Sequence, residues 1–139
     1  MILLEKWVPL VPNNIDVSKS YIFESFINGP RTFEIVLIDN TSSNKKILIN
    51  FPYRAFAYRT TKIEFQESTL EVVRRLKGND FFDWPFFKID NSHYIEWLVK
   101  QSCGINQIHE FDHFVFLSQD VVIEVINSSN EPNPIVSFC

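Results

Sequence analysis

Glycine is scarce in this chain, with three in 139 residues. A phosphate-cradling loop needs closely spaced glycines so that backbone amides can approach the ligand. Neither G-x-G-x-x-G nor a P-loop pattern occurs, which excludes the common nucleotide-binding designs. Cysteine is as sparse. Cys103 and Cys139 form no close motif, as expected of a cytoplasmic chain with free thiols. No apolar run approaches the length of a membrane-crossing helix. The opening Met-Ile-Leu-Leu-Glu-Lys-Trp-Val-Pro has too short an apolar part, and turns acidic too early, for a signal peptide. Positive charge is also in deficit. The formal net charge of −4 argues against nucleic acid, whose phosphates are held by Lys and Arg clusters. It leaves room for a basic protein partner. Nothing in the pattern calls for a cofactor.

What is present is apolar and aromatic. Hydrophobic residues make up 45% and charged residues 22%, a balance that fits neither a disordered chain nor a membrane-spanning one. The length predicts a single domain over residues 1–139 with a substantial core. The organising stretch is 111–127. Two β-branched and aromatic runs flank Ser118-Gln119-Asp120, the pattern of a hairpin with a three-residue loop. His113, Val115 and Leu117 share one face of the first run, with Phe114 and Phe116 on the other. In the second run Val121, Ile123 and Val125 oppose Val122, Glu124 and Ile126. Both faces are largely apolar, so these strands belong near the middle of a sheet. His113 and Glu124 are the exceptions, and a polar group at such depth needs a partner or a task.

Residues 1–20 read as an extended arm whose Trp7 plugs into the domain. Residues 21–27, 32–38, 46–51 and 55–60 alternate as four strands. Short connections between them suggest an antiparallel meander. Residues 68–77 carry Leu70, Val73 and Leu76 at helical spacing, stopped by Gly78. An aromatic knot, Phe81 to Phe87 around Pro85, follows. Asp90, Asn91 and Ser92 offer N-caps for a second helix over 93–102, with Gly104 as its C′ residue. A last strand spans 135–138. The order predicts an α+β fold: one mostly antiparallel sheet of six to seven strands with two packed helices. Trp97, Leu98, Val115, Ile123 and Val125 are expected in the core.

His109-Glu110-Phe111-Asp112-His113 matches H-E-x-x-H. In a zinc hydrolase that pattern lies on a helix, so both His bind the metal and the Glu activates its water. Here the local residues favour a strand. That would put His109 and His113 roughly 13 Å apart on one face, too far for one ion. The competing reading has His113 hydrogen-bonded inside a strand and His109 in a loop. Arg59 likewise has two readings: an edge-strand partner for a carboxylate, or a holder of an anion or partner carboxylate. The aromatic knot must be mostly core. Phe82 or Trp84 left exposed beside Asp80 and Asp83 would form an anchor with an acidic rim, suited to a basic partner. A third possibility is a carrier that holds a small apolar ligand on the Phe-rich sheet.

Tyr58-Arg59, Trp84 to Lys88, Asn91-Ser92-His93-Tyr94-Ile95-Glu96-Trp97, Ser102-Cys103-Gly104-Ile105 and His113 to Val125 follow one another in a recognisable order. In them the chain resembles a family of small bacterial cytosolic proteins, some of which accompany secreted polymorphic toxins as immunity proteins. The resemblance covers roughly the last two thirds of the chain and implies no catalytic residues. With the acidic balance, the lack of a coherent catalytic set and the aromatics interleaved with Asp80 and Asp83, the expectation is a non-catalytic protein that binds and neutralises a cognate partner, a basic toxin, by stoichiometric occlusion. Arg59, Asp80, Phe82, Asp83 and Trp84 are the candidate contact residues. The zinc-dependent hydrolase and the apolar-ligand carrier are the alternatives.

Overall fold

A computed structural model of the chain describes residues 5–10, 21–39, 45–53, 55–62, 64, 71 and 85–138. Among these residues nine strands form two antiparallel sheets. The strands are β1 (Lys6–Pro9), β2 (Tyr21–Asn28), β3 (Phe33–Asp39), β4 (Lys46–Phe51), β5 (Ala57–Lys62), β6 (Phe86–Asp90), β7 (Phe111–Leu117), β8 (Val121–Ser128) and β9 (Ile135–Phe138). Helix α1 (His93–Gln101) and a 3-10 turn (Ile108–Glu110) lie between β6 and β7. The five-stranded sheet has the order β1-β6-β7-β8-β5 and the four-stranded sheet β2-β3-β4-β9.

The expected single sheet with two packed helices is therefore wrong. Among the described residues the sheets number two and the strands nine, and His93–Gln101 is the one α-helix described from end to end. Of the predicted helix over 68–77 only Glu71 is described, and it is helical; the rest lies outside the described residues. The physical reason lies in what alternation encodes. It says which side chains face a core, not what covers them. Phe33, Ile35 and Leu37 of β3, with Ile47, Ile49 and Phe51 of β4, form one buried face. They pack onto Phe86, Phe114, Phe116, Ile123 and Val125 of the other sheet. Phe51 meets both Phe114 and Phe116 edge-on, with ring centroids 5.5 and 5.9 Å apart. A second sheet, not a helix layer, closes this core.

The hairpin forms as expected. β7 and β8 pair from Phe111↔Ser128 to Leu117↔Val122, and β7 is the central strand of its sheet. Ser118 shapes the turn: its Oγ accepts the Val121 amide at 3.0 Å. The Gln119 amide donates to the Tyr21 carbonyl and ties the turn to β2. The meander stops one strand early, because β5 leaves the small sheet and pairs with β8. β9 takes its place beside β4. The N-terminal arm is a strand, and Trp7 is buried against Phe87 and Ile89. Part of the aromatic knot is also a strand, since Phe86–Asp90 is β6.

Helix α1 starts where capping chemistry places it. Ser92 has extended backbone angles and its Oγ accepts the Ile95 amide at 3.0 Å. The left-handed residue that ends the helix is Cys103, with Gly104 following in the same region, so Gly104 is not the C′ residue itself. Tyr94 and Ile95, with Leu98 and Val99, pack onto Ile126, Ala57 and Phe111 of the large sheet. Val115, Ile123 and Val125 are buried as expected and Leu98 is half-buried, but Trp97 is 56% exposed. Tyr94, Ile95 and Leu98 already fill the narrow stripe that this short helix turns to the sheet. Trp97 lies beyond its edge. No helix among the described residues is long and apolar enough to cross a membrane.

Candidate functional site

The two polar exceptions of the hairpin meet on the outer face of the large sheet. Antiparallel register sets Glu124 opposite Val115 and one diagonal step from His113. His113 Nε2 lies 3.0 Å from Glu124 Oε1. On the other side, β5 places Arg59 directly opposite Glu124. Arg59 grips the carboxylate with both Nε and Nη2, a fork-like pairing that suits guanidinium geometry. At the far end of the imidazole, Nδ1 lies 2.7 Å from Ser92 Oγ, the cap of α1. Ser92, His113, Glu124 and Arg59 thus form one chain of hydrogen bonds linking helix and sheet. His113 is 1% exposed and Glu124 5%.

The electrostatics assign the protons. Burial pushes the Glu124 carboxyl up. The hydrogen bonds and charges of His113 and Arg59 outweigh it and hold the group below the usual carboxylate value. Ionised Glu124 accepts from every side, so His113 Nε2 carries a proton. The other ring nitrogen, Nδ1, faces the Ser92 hydroxyl, which donates to it whenever the ring is neutral. Burial lowers the Arg59 guanidinium, but its bond to Glu124 and the attraction of that carboxylate raise it overall. Burial raises the Tyr94 phenol, Arg59 opposes this and Glu124 adds to it, with a net upward shift.

A Ser–His–acid relay invites a catalytic reading. The geometry argues for a structural one. Ser92 Oγ already accepts the Ile95 amide while bonded to His113, and it is buried. A nucleophile needs a face open to its substrate. The H-E-x-x-H reading meets a similar obstacle. Both nitrogens of His113 are occupied, by Ser92 and Glu124, and leave no lone pair for zinc. His109 sits in the exposed 3-10 turn, where its carbonyl accepts from Ser129 Oγ. The Glu110 carbonyl accepts the Ser129 amide. Among the described residues no group of three or more His, Cys, Asp or Glu is placed to hold a metal ion.

The network surfaces at Arg59, whose side chain is about half exposed. Its guanidinium lies 4.1 Å from the Tyr94 ring centroid, a cation–π contact. Tyr94 in turn stands edge-on to His113, and its ring centroid lies 6.4 Å from that of Trp97. Arg59, Tyr94 and Trp97 therefore make a continuous row that runs out to the surface. Of the residues singled out in the sequence, Arg59 takes part in this row, in its carboxylate-bridging form. Asp80, Phe82, Asp83 and Trp84 lie outside the described residues. Ser92, Tyr94 and Trp97 were not recognised as site residues. Ser92 read only as a cap, and Trp97 as core. The one signal that could have exposed Trp97 is the width of the apolar stripe on α1, too broad for a two-turn helix to bury.

No family model matches the chain, and no curated protein or solved structure matches it.

Proposed function

We propose that the protein is a non-catalytic binding protein of the bacterial cytoplasm that neutralises a cognate protein toxin by stoichiometric occlusion. The observation that carries the binding part is Trp97, exposed on a helix that is fixed at its start, beside Tyr94 and Arg59. Trp, Tyr and Arg are the residues that most often supply the energy of protein interfaces, and rigid anchors lose little entropy on docking. The toxin as partner rests on the family resemblance of the sequence. Asp80, Phe82, Asp83 and Trp84 stay in the proposed contact set on chemistry alone. The two acids would steer a basic partner and make association fast and salt-sensitive.

The test pairs the purified protein with the product of a toxin gene adjacent to its own, by titration calorimetry and by protection of cells expressing that toxin. The expected result is 1:1 binding that weakens by about 2 kcal/mol or more in Trp97→Ala, with the melting temperature barely changed. Unaltered affinity in that variant removes Trp97 as the anchor. Failure to bind or protect removes the immunity reading.

A further inference from the structure

A helical side chain leans toward the N-terminus of its helix, so the Trp97 indole lies over the first turn of α1, where Tyr94 meets it. More than half of Trp97 is exposed, which leaves a broad π face open to a ligand. The same turn receives a carboxylate from outside the helix. Glu5, just ahead of β1, accepts the His93 amide through Oε2 at 2.9 Å in an exposed position. Burial opposes the charge of Arg59, while Glu124 and, last in size, Glu5 support it, so Glu5 belongs to the row of Arg59 and Tyr94. The cations near this turn have carboxylates of their own. Arg59 is held by Glu124, and Lys100 lies 3.7 Å from Glu96. The start of β1 and the first turn of α1 thus bring a carboxylate and an open indole to one place.

That pairing selects a cation. The indole face attracts positive charge through its quadrupole, more strongly than the ring of Tyr or Phe. The molecule already uses this chemistry alongside, where the Arg59 guanidinium lies over the Tyr94 ring. Arginine suits the place better than lysine. A planar guanidinium stacks flat on the indole and keeps its edge donors for a carboxylate, whereas an ammonium is a strongly hydrated point charge. We propose that an arginine side chain of the partner protein stacks on Trp97 and pairs with Glu5. The inference rests on the binding reading of Trp97 given above and names the residue that this anchor receives. It agrees with a basic partner, for which the net charge of −4 leaves room.

The probe is the capped tripeptide acetyl-Gly-Arg-Gly-amide, with its citrulline counterpart as the uncharged isostere. Both are titrated into the full chain at low salt, and the Trp97 indole N–H and the amides of Glu5 and His93 are followed by NMR. The arginine peptide is expected to shift all three, and the citrulline peptide to bind about fivefold more weakly. Glu5→Gln keeps an acceptor for the His93 amide and removes the charge. It should weaken the arginine peptide about threefold and leave the citrulline peptide unchanged. Melting curves of the variant confirm the fold. Equal binding of the two peptides overturns the proposal. So does an unshifted indole at millimolar peptide, or an unchanged arginine affinity in Glu5→Gln. Seating of the arginine peptide without binding of the adjacent gene's toxin would keep this site and remove the toxin reading. The converse would remove this inference alone.

Discussion

The two faces of the five-stranded sheet are built on different principles. The inner face offers Phe86, Phe114, Phe116, Ile123 and Val125 to the opposing sheet and buries them almost completely. Apolar transfer and close packing hold it, and no direction is specified beyond shape. The outer face mixes Val115, Leu117 and Val122 with His113 and Glu124. There the contacts are directional. Ser92, His113, Glu124 and Arg59 accept and donate in a fixed order, and the order fixes where α1 starts. The comparison teaches that one sheet can take its stability from one face and its orientation of a helix from the other. The helix so oriented presents Trp97.

The comparison breaks most severely on the inner face. Ile123→Ala removes a fully buried side chain from between two sheets that cannot collapse onto the gap. We expect a loss of about 4 kcal/mol in denaturant unfolding, within the 2–5 kcal/mol typical of such changes. A loss well under 2 kcal/mol would show that this face is looser than drawn.

On the outer face the penalty has another origin. Glu124→Ala leaves Arg59 and His113 without their shared acceptor. Breaking a buried pair by removing one partner costs about 3–5 kcal/mol. The half-exposure of Arg59 lets water replace part of the interaction, so about 3 kcal/mol is expected. Equal losses in Glu124→Ala and in an exposed-surface control such as Lys100→Ala would remove the network from the stability account.

The same carboxylate predicts an acid dependence. Its ordinary value is 4.5, and in the fold it is held lower. Between the two values the unfolded chain binds more protons than the native one, so stability rises with pH there. The contribution is fully present above the unfolded value and is lost as pH falls through the folded one. Gln does not titrate. The destabilisation caused by Glu124→Gln, read from melts across a pH series, should therefore be constant above about pH 5 and shrink below 4.5. A difference that grows on acidification would mean that the carboxylate is not stabilised by its partners.

Much of this was legible in the residues. The hairpin, the sorting of its side chains into two faces, the isolation of His113 and Glu124, and helix α1 with its cap all follow from period, capping and burial rules. The partition into two sheets did not, because β5 looks like the next strand of a meander. Its pairing with β8 is a contact between residues that lie far apart in sequence, such as Arg59 and Glu124. No local rule reports such pairings. The candidate site failed to emerge for the same reason. His113 and Glu124 stand out as polar residues on apolar strands, Ser92 as a cap and Arg59 as a carboxylate partner, but only the fold lines them up. Trp97 was misplaced because helical periodicity gives a direction and not the width of the face that a neighbour covers.

The central claim is that one hydrogen-bonded chain, running through His113, couples the start of α1 to the sheet. A double-mutant cycle of Ser92→Ala and Glu124→Gln, measured by denaturant unfolding, tests it directly. The two residues are linked through the two nitrogens of His113. Ser92→Ala alone is expected to cost about 2 kcal/mol, from the lost cap and the orphaned imidazole nitrogen. If the chain acts as a unit, the double variant loses less than the sum of the singles, by on the order of 1 kcal/mol. Additivity to within about 0.3–0.5 kcal/mol would mean that the helix cap and the buried ion pair are independent, and would contradict the account.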